Sequence, residues 1–357
     1  MDPVYKKLAV HLDKTPNGFP ETKSGVELKL LRKLFNPEEA ELACLMNIEH
    51  ESLKTIALKA GKEERPVFVM LKNMLIKGLV DLKKEPGNIL FALLPFVVGF
   101  YERQNAQIDK EFAELFEQYY QESFHTVMHT KPFMHRVIPV EKSIPTNIDV
   151  MPYEKISNYI NEAKSWGVLN CICRVQKRHI GEGCEHSLEN CVTFSTRPGL
   201  FDRAKNIRAI DKEEAIKILE AANKEGLVHT VNNAQEDVSY ICNCCSCSCG
   251  FLRGMAEFGV KNSVARSDFF VQIDAELCNS CENCIDRCYF GALAIADESC
   301  EVDLDRCFGC GLCISECATD AMTLIQKEKD EIEVPSKTKE DWRIARNIKR
   351  LDSYSNN

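Results

Sequence analysis

Eight cysteines near the end of the chain constrain it more than any other feature. Cys278, Cys281, Cys284 and Cys288 follow the spacing Cys-x2-Cys-x2-Cys-x3-Cys, and Cys307, Cys310, Cys313 and Cys317 repeat it 29 residues later. The flanks repeat as well: Ile273-Asp274 matches Val302-Asp303, and Ala292-Leu293 matches Ala321-Met322. Each copy reads as strand, cysteine loop, short helix, strand. Such an internal repeat indicates two related halves sharing one core. The chain has 357 residues and 19 cysteines in all. Disulfide-dense domains are short and secreted, whereas this chain has room for two or three domains. Its start, Met1 to Lys14, is polar and charged, so no signal peptide is expected. The longest apolar run, Ile89 to Tyr101, is too short for a membrane span and is interrupted by Pro95 and Gly99. Clustered cysteines in a chain expected to be cytoplasmic point to metal.

The spacing has a physical reason. Three cysteines in a tight loop reach three irons of one cubane, and the fourth, on the turn that follows, reaches the other cluster. The expected ligand sets are therefore crossed: Cys278, Cys281, Cys284 and Cys317 for one 4Fe-4S cluster, and Cys307, Cys310, Cys313 and Cys288 for the second. Gly309 and Gly311 keep the second loop small, so backbone N–H groups can approach the sulfurs and help set the potential. Over about 50 residues this segment resembles bacterial two-cluster ferredoxins. It departs from their pattern in carrying Tyr289 and Ala318, not proline, after the fourth cysteine of each copy. The competing reading is two zinc sites, although zinc sites are typically built from paired Cys-x2-Cys units. Cys300, outside both motifs, reads as a small apolar filler.

Nine more cysteines lie in the middle: Cys171, Cys173, Cys184, Cys191, Cys242, Cys244, Cys245, Cys247 and Cys249. They are candidate metal ligands, because thiolates so close together repel and a metal relieves this. In an extended chain Cys171 and Cys173 face one side. In the run from Cys242 to Cys249, Cys242 and Cys244 face one way and Cys245, Cys247 and Cys249 the other. Nine thiols suit two cubanes with one left over, or one cubane and a redox-active thiol group. Zinc, buried structural cysteines and a disulfide relay remain alternatives. Arg174, Lys177, Arg178 and His179 read as a solvated helix face. Helices are expected over Tyr153–Ser165 and from the Asp211 cap to about Lys224, with a strand at Leu227–Val231. No glycine-rich dinucleotide fingerprint follows a strand, and no catalytic residue is assigned.

The N-terminal region, nearly free of cysteine except for Cys44, shows helix starts at Asn36-Pro37 and Ser52. A third helix spans Arg65 to Lys77, and strands at Leu79–Leu82 and Ile89–Leu94 form a hairpin. Helix, helix, helix, hairpin is the winged-helix order. Acids and bases nearly balance there, which argues against DNA and for protein interaction or a homodimer. A long helix is expected from Pro95 to Phe124. His125, His129 and His135 lack a paired acidic ligand and read as ordinary. The net charge of −9 sits on the repeat: residues 274–323 carry 11 acids, two arginines and no lysine, and the rest is neutral. An acidic face suits a basic protein partner and not nucleic acid.

The fold class expected is α+β. Its parts are a helical winged-helix-like region (1–94), a long helix and connector (95–140), a cysteine-rich α/β domain (141–268), a ferredoxin-like module (269–326) and a charged solvated tail with one helix near Trp342 (327–357). Taken whole, the chain resembles a family of prokaryotic cytoplasmic 4Fe-4S binding proteins. The resemblance rests on Leu94-Pro95-Phe96-Val97-Val98-Gly99, Cys171-Ile172-Cys173-Arg174, Gly183-Cys184 with Cys191, the Cys242–Cys249 run and the ferredoxin-like end. Similar proteins carry cysteines where this chain has Asn243 and Ser248. The resemblance implies electron transfer and no defined substrate. The residues are read as carrying it through two 4Fe-4S clusters and one or two further iron–sulfur clusters in the centre, with a redox partner docking on the acidic module. The alternatives are a redox-sensing winged-helix regulator and a thiol/disulfide oxidoreductase.

Overall fold

A computed structural model describes residues 3–105, 107–146, 148–204 and 206–355. It mixes helix and sheet, in keeping with an α+β chain. The chain divides into two compact units. The first is Met1–Val127, Val175–Glu182 and Arg350–Asn357; the second is Met128–Arg174 and Gly183–Lys349.

The first unit contains α1 (Pro3–Asp13), α2 (Val26–Leu34), α3 (Pro37–Ala43), β1 (Glu51–Ser52), α4 (Leu53–Ala60), α5 (Glu64–Ile76), β2 (Val80–Glu85), β3 (Asn88–Leu93) and α6 (Lys110–Glu122). Local chemistry sets most of these boundaries. Asn36 accepts from the Glu39 N–H while the Glu39 side chain accepts from the Asn36 N–H, a reciprocal cap with Pro37 behind it. Ser52 caps α4, which stops at a left-handed Gly61. The three strands pair antiparallel in the order β1-β3-β2. The long helix expected from Pro95 to Phe124 does not form. Val97, Val98 and Gly99 have non-helical backbone angles, and α6 starts afresh at Asp109, whose side chain accepts from the Phe112 N–H. The break turns Phe96, Phe100 and Tyr101 into one aromatic core: Phe96 lies 5.0 Å from Phe19 and 5.3 Å from Phe124, and Tyr101 stacks on Phe116 at 4.1 Å. A straight helix would separate these rings, so aromatic burial overrides helical continuity.

The second unit is built on a six-stranded sheet. Along the chain come β4 (His135–Val137), α7 (Ile156–Glu162), β5 (Ser165–Asn170), α8 (Ile172–His179), β6 (Glu189–Ser195), β7 (Arg208–Ile210), α9 (Lys212–Lys224), β8 (Val228–Asn232), β9 (Tyr240–Cys244) and α10 (Gly250–Phe258). The helix α8 passes from the second unit to the first after Arg174. The strand order is β4-β8-β9-β6-β5-β7, with every pairing antiparallel. Strand periodicity gives the sheet two different faces. Val192 and Ile241, paired across β6 and β9, pack with Ile156, Ile160, Ala215 and Leu219 of α7 and α9. Cys191, Cys242 and Cys244, one residue out of step, point to the opposite face.

The repeat follows with β10 (Phe269–Ile273), α11 (Asn283–Asp286), β11 (Leu293–Ala296), β12 (Ser299–Val302) and β13 (Met322–Gln326). The outer strands β10 and β13 pair, and so do the inner strands β11 and β12, so each half hydrogen-bonds to the other. The 29-residue repeat is also visible in the backbone. Three matched pairs adopt positive φ: Ser280 (54°) with Gly309 (67°), Glu282 (65°) with Gly311 (74°), and Gly291 (59°) with Asp320 (55°). Arg136 on β4, fully buried, pairs with Glu154 and lies 3.5 Å from Asp268 at the threshold of β10.

The last helix, α12 (Lys339–Ser355), is not part of a solvated tail. Trp342 is buried and donates to the Phe133 carbonyl at 2.8 Å, and the fully buried Arg346 donates to the Pro132 carbonyl at 2.8 Å.

Candidate metal centres

The structure brings the eight repeat cysteines together in the crossed arrangement. Cys278, Cys281 and Cys284 line one pocket with Cys317 of the other copy. Cys288 lies within electrostatic reach of Cys307, Cys310 and Cys313. Backbone amides point at sulfur in matching positions: the Ala292 N–H donates to Cys288 Sγ and the Ala321 N–H to Cys317 Sγ, both at 3.3 Å. Cys300 N–H donates to Cys278 Sγ at 3.4 Å. Such donors favour thiolate over thiol. At Cys317, burial raises the thiol pKa, but hydrogen bonds from Thr319, Ala321 and Met322 outweigh it and leave the pKa lowered. At Cys310 and Cys313, burial with neighbouring thiolates drives the pKa up, to about 12 at Cys310. Burial thus keeps these thiols protonated, and a bound cation of high charge would displace the protons and favour the thiolates. Soft thiolate donors and inward amides fit an iron–sulfur cluster in each set.

Cys300 packs in the apolar core of the repeat. It is buried, lines the first pocket, and lies 3.7 Å from Cys284 Sγ. Gly309 and Gly311 are both left-handed, and the Ser267 hydroxyl donates to the Gly309 carbonyl at 2.9 Å, tying the second loop to β10.

The nine central cysteines divide into two groups. Six of them close a ring in which each thiol interacts electrostatically with its two neighbours: Cys171, Cys173, Cys249, Cys244, Cys242, Cys191 and back to Cys171. The sheet supplies Cys191, Cys242 and Cys244. Cys171 follows β5 directly, beyond a bulge at Leu169/Asn170, Cys173 lies in the first turn of α8, and Cys249 caps α10. Two helix N-termini thus meet the ring, and their partial positive charge suits thiolates. Cys171 receives hydrogen bonds from Cys173 and Cys191, which hold its pKa well below the usual thiol range. Cys244, receiving from Cys242 and Cys249, falls to about 6.

The second group is Cys184, Cys245 and Cys247 with His186; one ligand atom from each lies within 4.8 Å of the others. This is a Cys/His group able to bind a metal. Cys245 falls to about 5, through a hydrogen bond from Cys247 first and the Arg174 charge after it. The extended-run grouping therefore fails at one residue. Cys249 joins Cys242 and Cys244, not Cys245 and Cys247. The strand ends at Cys244, and the turn through Cys247 reverses the chain and swings Cys249 back. Cys171 and Cys173 also meet across a strand-to-helix junction, not along an extended segment.

Arg174 and Lys177 are not solvated. Arg174 is fully buried and donates to the Ser187 and Asn243 carbonyls at 2.9 and 2.8 Å. Burial disfavours its charge, but Cys171, Cys245 and Cys244 around it hold the proton on. Lys177, in the first unit, is buried against Glu117 and Glu182. Arg178 and His179 are exposed, as expected.

Sequence reasoning missed three contributors. His186 was overlooked although Cys184-Glu185-His186 places it two residues from a candidate ligand. Tyr289, noted only as a missing proline, packs against Cys184 and Cys245, with its hydroxyl 3.4 Å from His186 Nε2. His135, read as ordinary, begins a hydrogen-bonded line to the ring: its Nδ1 is 3.2 Å from Thr230 Oγ1, which is 3.5 Å from Cys244 Sγ. Cys44 lies apart in the first unit, half-buried, its pKa raised by burial.

No helix among the described residues is long and apolar enough to cross a membrane. No protein-family model, curated protein or solved structure matches the chain.

Proposed function

We propose that this chain is an iron–sulfur electron-transfer protein or subunit. The observation that carries the reading is the crossed grouping of eight thiols, repeated in sequence, in strand pairing and in left-handed backbone positions. Cys278, Cys281, Cys284 and Cys317 would hold one 4Fe-4S cluster, and Cys307, Cys310, Cys313 and Cys288 the other; such clusters supply one-electron chemistry. The six-thiol ring offers more donors than one cubane takes and is the place for a further cluster.

The protein's own residues then set access and direction. Cys281 is exposed and Cys278 half-buried, beside Glu276, Glu282, Asp286 and Glu298, which are all exposed. Of the 11 acids on the repeat, only Glu316 is not exposed. A redox partner with a basic surface would dock at this edge. The set containing Cys288 lies deeper, and Tyr289 next to it reaches the central cysteines. This order supports electron passage from the inner set to the acidic edge.

The N-terminal unit is read as a winged-helix module that binds protein. Its α5 exposes Phe68, Val69 and Ile76, and α4 exposes Leu58, an apolar surface that does not suit DNA.

The test is iron and acid-labile sulfide per chain on protein purified without oxygen, with redox titration followed by electron paramagnetic resonance. About eight irons are expected from the repeat, more if the ring is filled, and Cys310→Ser should remove about four. Zinc at the repeat cysteines with no labile sulfide would refute the reading.

A further inference from the structure

We propose that Cys184, His186, Cys245 and Cys247 form a separate structural site for a single tetrahedral zinc ion. It concerns donors that the electron-transfer reading does not use.

Spacing separates one ion from a cluster. The four ligand atoms all lie within 4.8 Å of one another, and Cys184 Sγ is 3.9 Å from Cys245 Sγ. A tetrahedral ion with Zn–S bonds of about 2.3 Å sets two of its sulfurs roughly 3.8 Å apart. A cubane binds each thiolate at a different iron and needs them spread more widely. Three thiolates and one imidazole, with no place left for water, make the closed donor set of a structural zinc site.

The surroundings fit the same ion. Glu225 Oε2 lies 3.8 Å from His186 Nδ1 and accepts the Ser187 N–H at 2.9 Å, so the carboxylate is fixed beside the ring. Carboxylates in this position orient metal-binding histidines. Ala222, Leu227 and Tyr289 pack on the inner side against Cys184 and Cys245, while Cys247 is exposed. Zinc with three thiolates carries one net negative charge. The charge of the buried Arg174 guanidinium, which reaches Cys245, balances it.

The site has a structural consequence. The turn that brings Cys245 and Cys247 to the ion also returns Cys249 to the six-thiol ring. Pinning that turn to the loop at Cys184 joins two chain segments 61 residues apart.

The test uses the full chain purified without oxygen, then equilibrated with zinc chloride and dialysed against a chelator. Zinc is counted by mass spectrometry, and its shell is read by X-ray absorption. The expected result is one zinc per chain with three sulfurs at about 2.3 Å and one nitrogen at about 2.0–2.1 Å. Cys247→Ser and His186→Ala should lose this zinc with the iron count unchanged, and Glu225→Gln should weaken its retention about 10–100-fold. Cys310→Ser should show the reverse, losing iron and keeping zinc. The proposal is overturned if the wild-type chain retains no zinc or if its shell is four sulfurs. It is equally overturned if Cys247→Ser lowers iron by about four. The wild-type spectrum decides the matter even where a variant fails to fold, and the separate iron count distinguishes this failure from failure of the electron-transfer reading.

Discussion

Replacing Gly309 with alanine tests whether space or backbone conformation governs the second cysteine loop. Gly309 has φ +67°, a conformation that costs an L-residue about 1–2 kcal/mol. An added Cβ would also overlap the Phe269 carbonyl oxygen and Ser267 Oγ and stand 2.7 Å from the Phe269 carbonyl carbon. Phe269 cannot retreat, because it opens β10 and is paired with Gln326 of β13. Overpacking of this kind costs roughly 1–3 kcal/mol, so the total is about 2–5 kcal/mol. Gly61→Ala supplies the control. Gly61 has φ +60° with nothing within 4 Å of an added Cβ, so only the conformational cost of about 1–2 kcal/mol applies. The matched residue in the first copy, Ser280, already tolerates φ +54°, its hydroxyl donating to the Glu298 carbonyl. Conformation alone therefore does not demand glycine in this loop. The assay is amide hydrogen exchange across β10 and β13 in the full chain. Each 1.4 kcal/mol lost from local opening speeds exchange about tenfold, so Gly309→Ala should accelerate it by roughly thirty-fold or more. Acceleration no larger than Gly61→Ala produces at its own helix end would refute the steric argument.

Arg174→Met removes a fully buried cation and leaves two carbonyls and nearby thiolates without it, at a cost of about 3–5 kcal/mol to the second unit. In the metal-free protein, the Cys245 thiol should also titrate above its present value of about 5, because a favourable positive charge is gone; an unchanged pH profile of alkylation would contradict this. His135 and His229 are both buried and held neutral, with pKa values lowered by burial to about 3 and about 4, although the Asn243 hydrogen bond works the other way at His229. A base whose pKa falls on folding stabilises the fold above its unfolded pKa of 6.5. That stability is lost as pH falls from 6.5 toward the folded values, at up to about 1.4 kcal/mol per pH unit for each histidine. Nuclear magnetic resonance should find both imidazoles neutral at pH 5, and titration near 6.5 would show them to be solvated.

The sequence alone determined what depends on near neighbours. The 29-residue repeat, its crossed cysteines and the strand–loop–helix–strand order were readable, because each involves spacings of a few residues copied twice. The caps at Asn36, Ser52 and Asp211 were readable because a cap is decided within one turn of helix. Strand alternation announced that Cys242 and Cys244 share a face. What the tertiary structure decided depends on residues far apart. The turn after Cys244 carries Cys249 back to the ring, while Cys245 and Cys247 meet Cys184, which no local period encodes. Arg174 sits on a helix with three basic followers and looks solvated, yet the thiols of Cys244 and Cys245, some seventy residues on, join nearby Cys171 around it. Pro95 to Phe124 has helical spacing, but rings from Phe19 to Phe124 compete for one core and break it. Local preference is worth a few tenths of a kcal/mol per residue, and burying an aromatic ring or compensating a charge is worth several times more. Where the two disagree, packing decides.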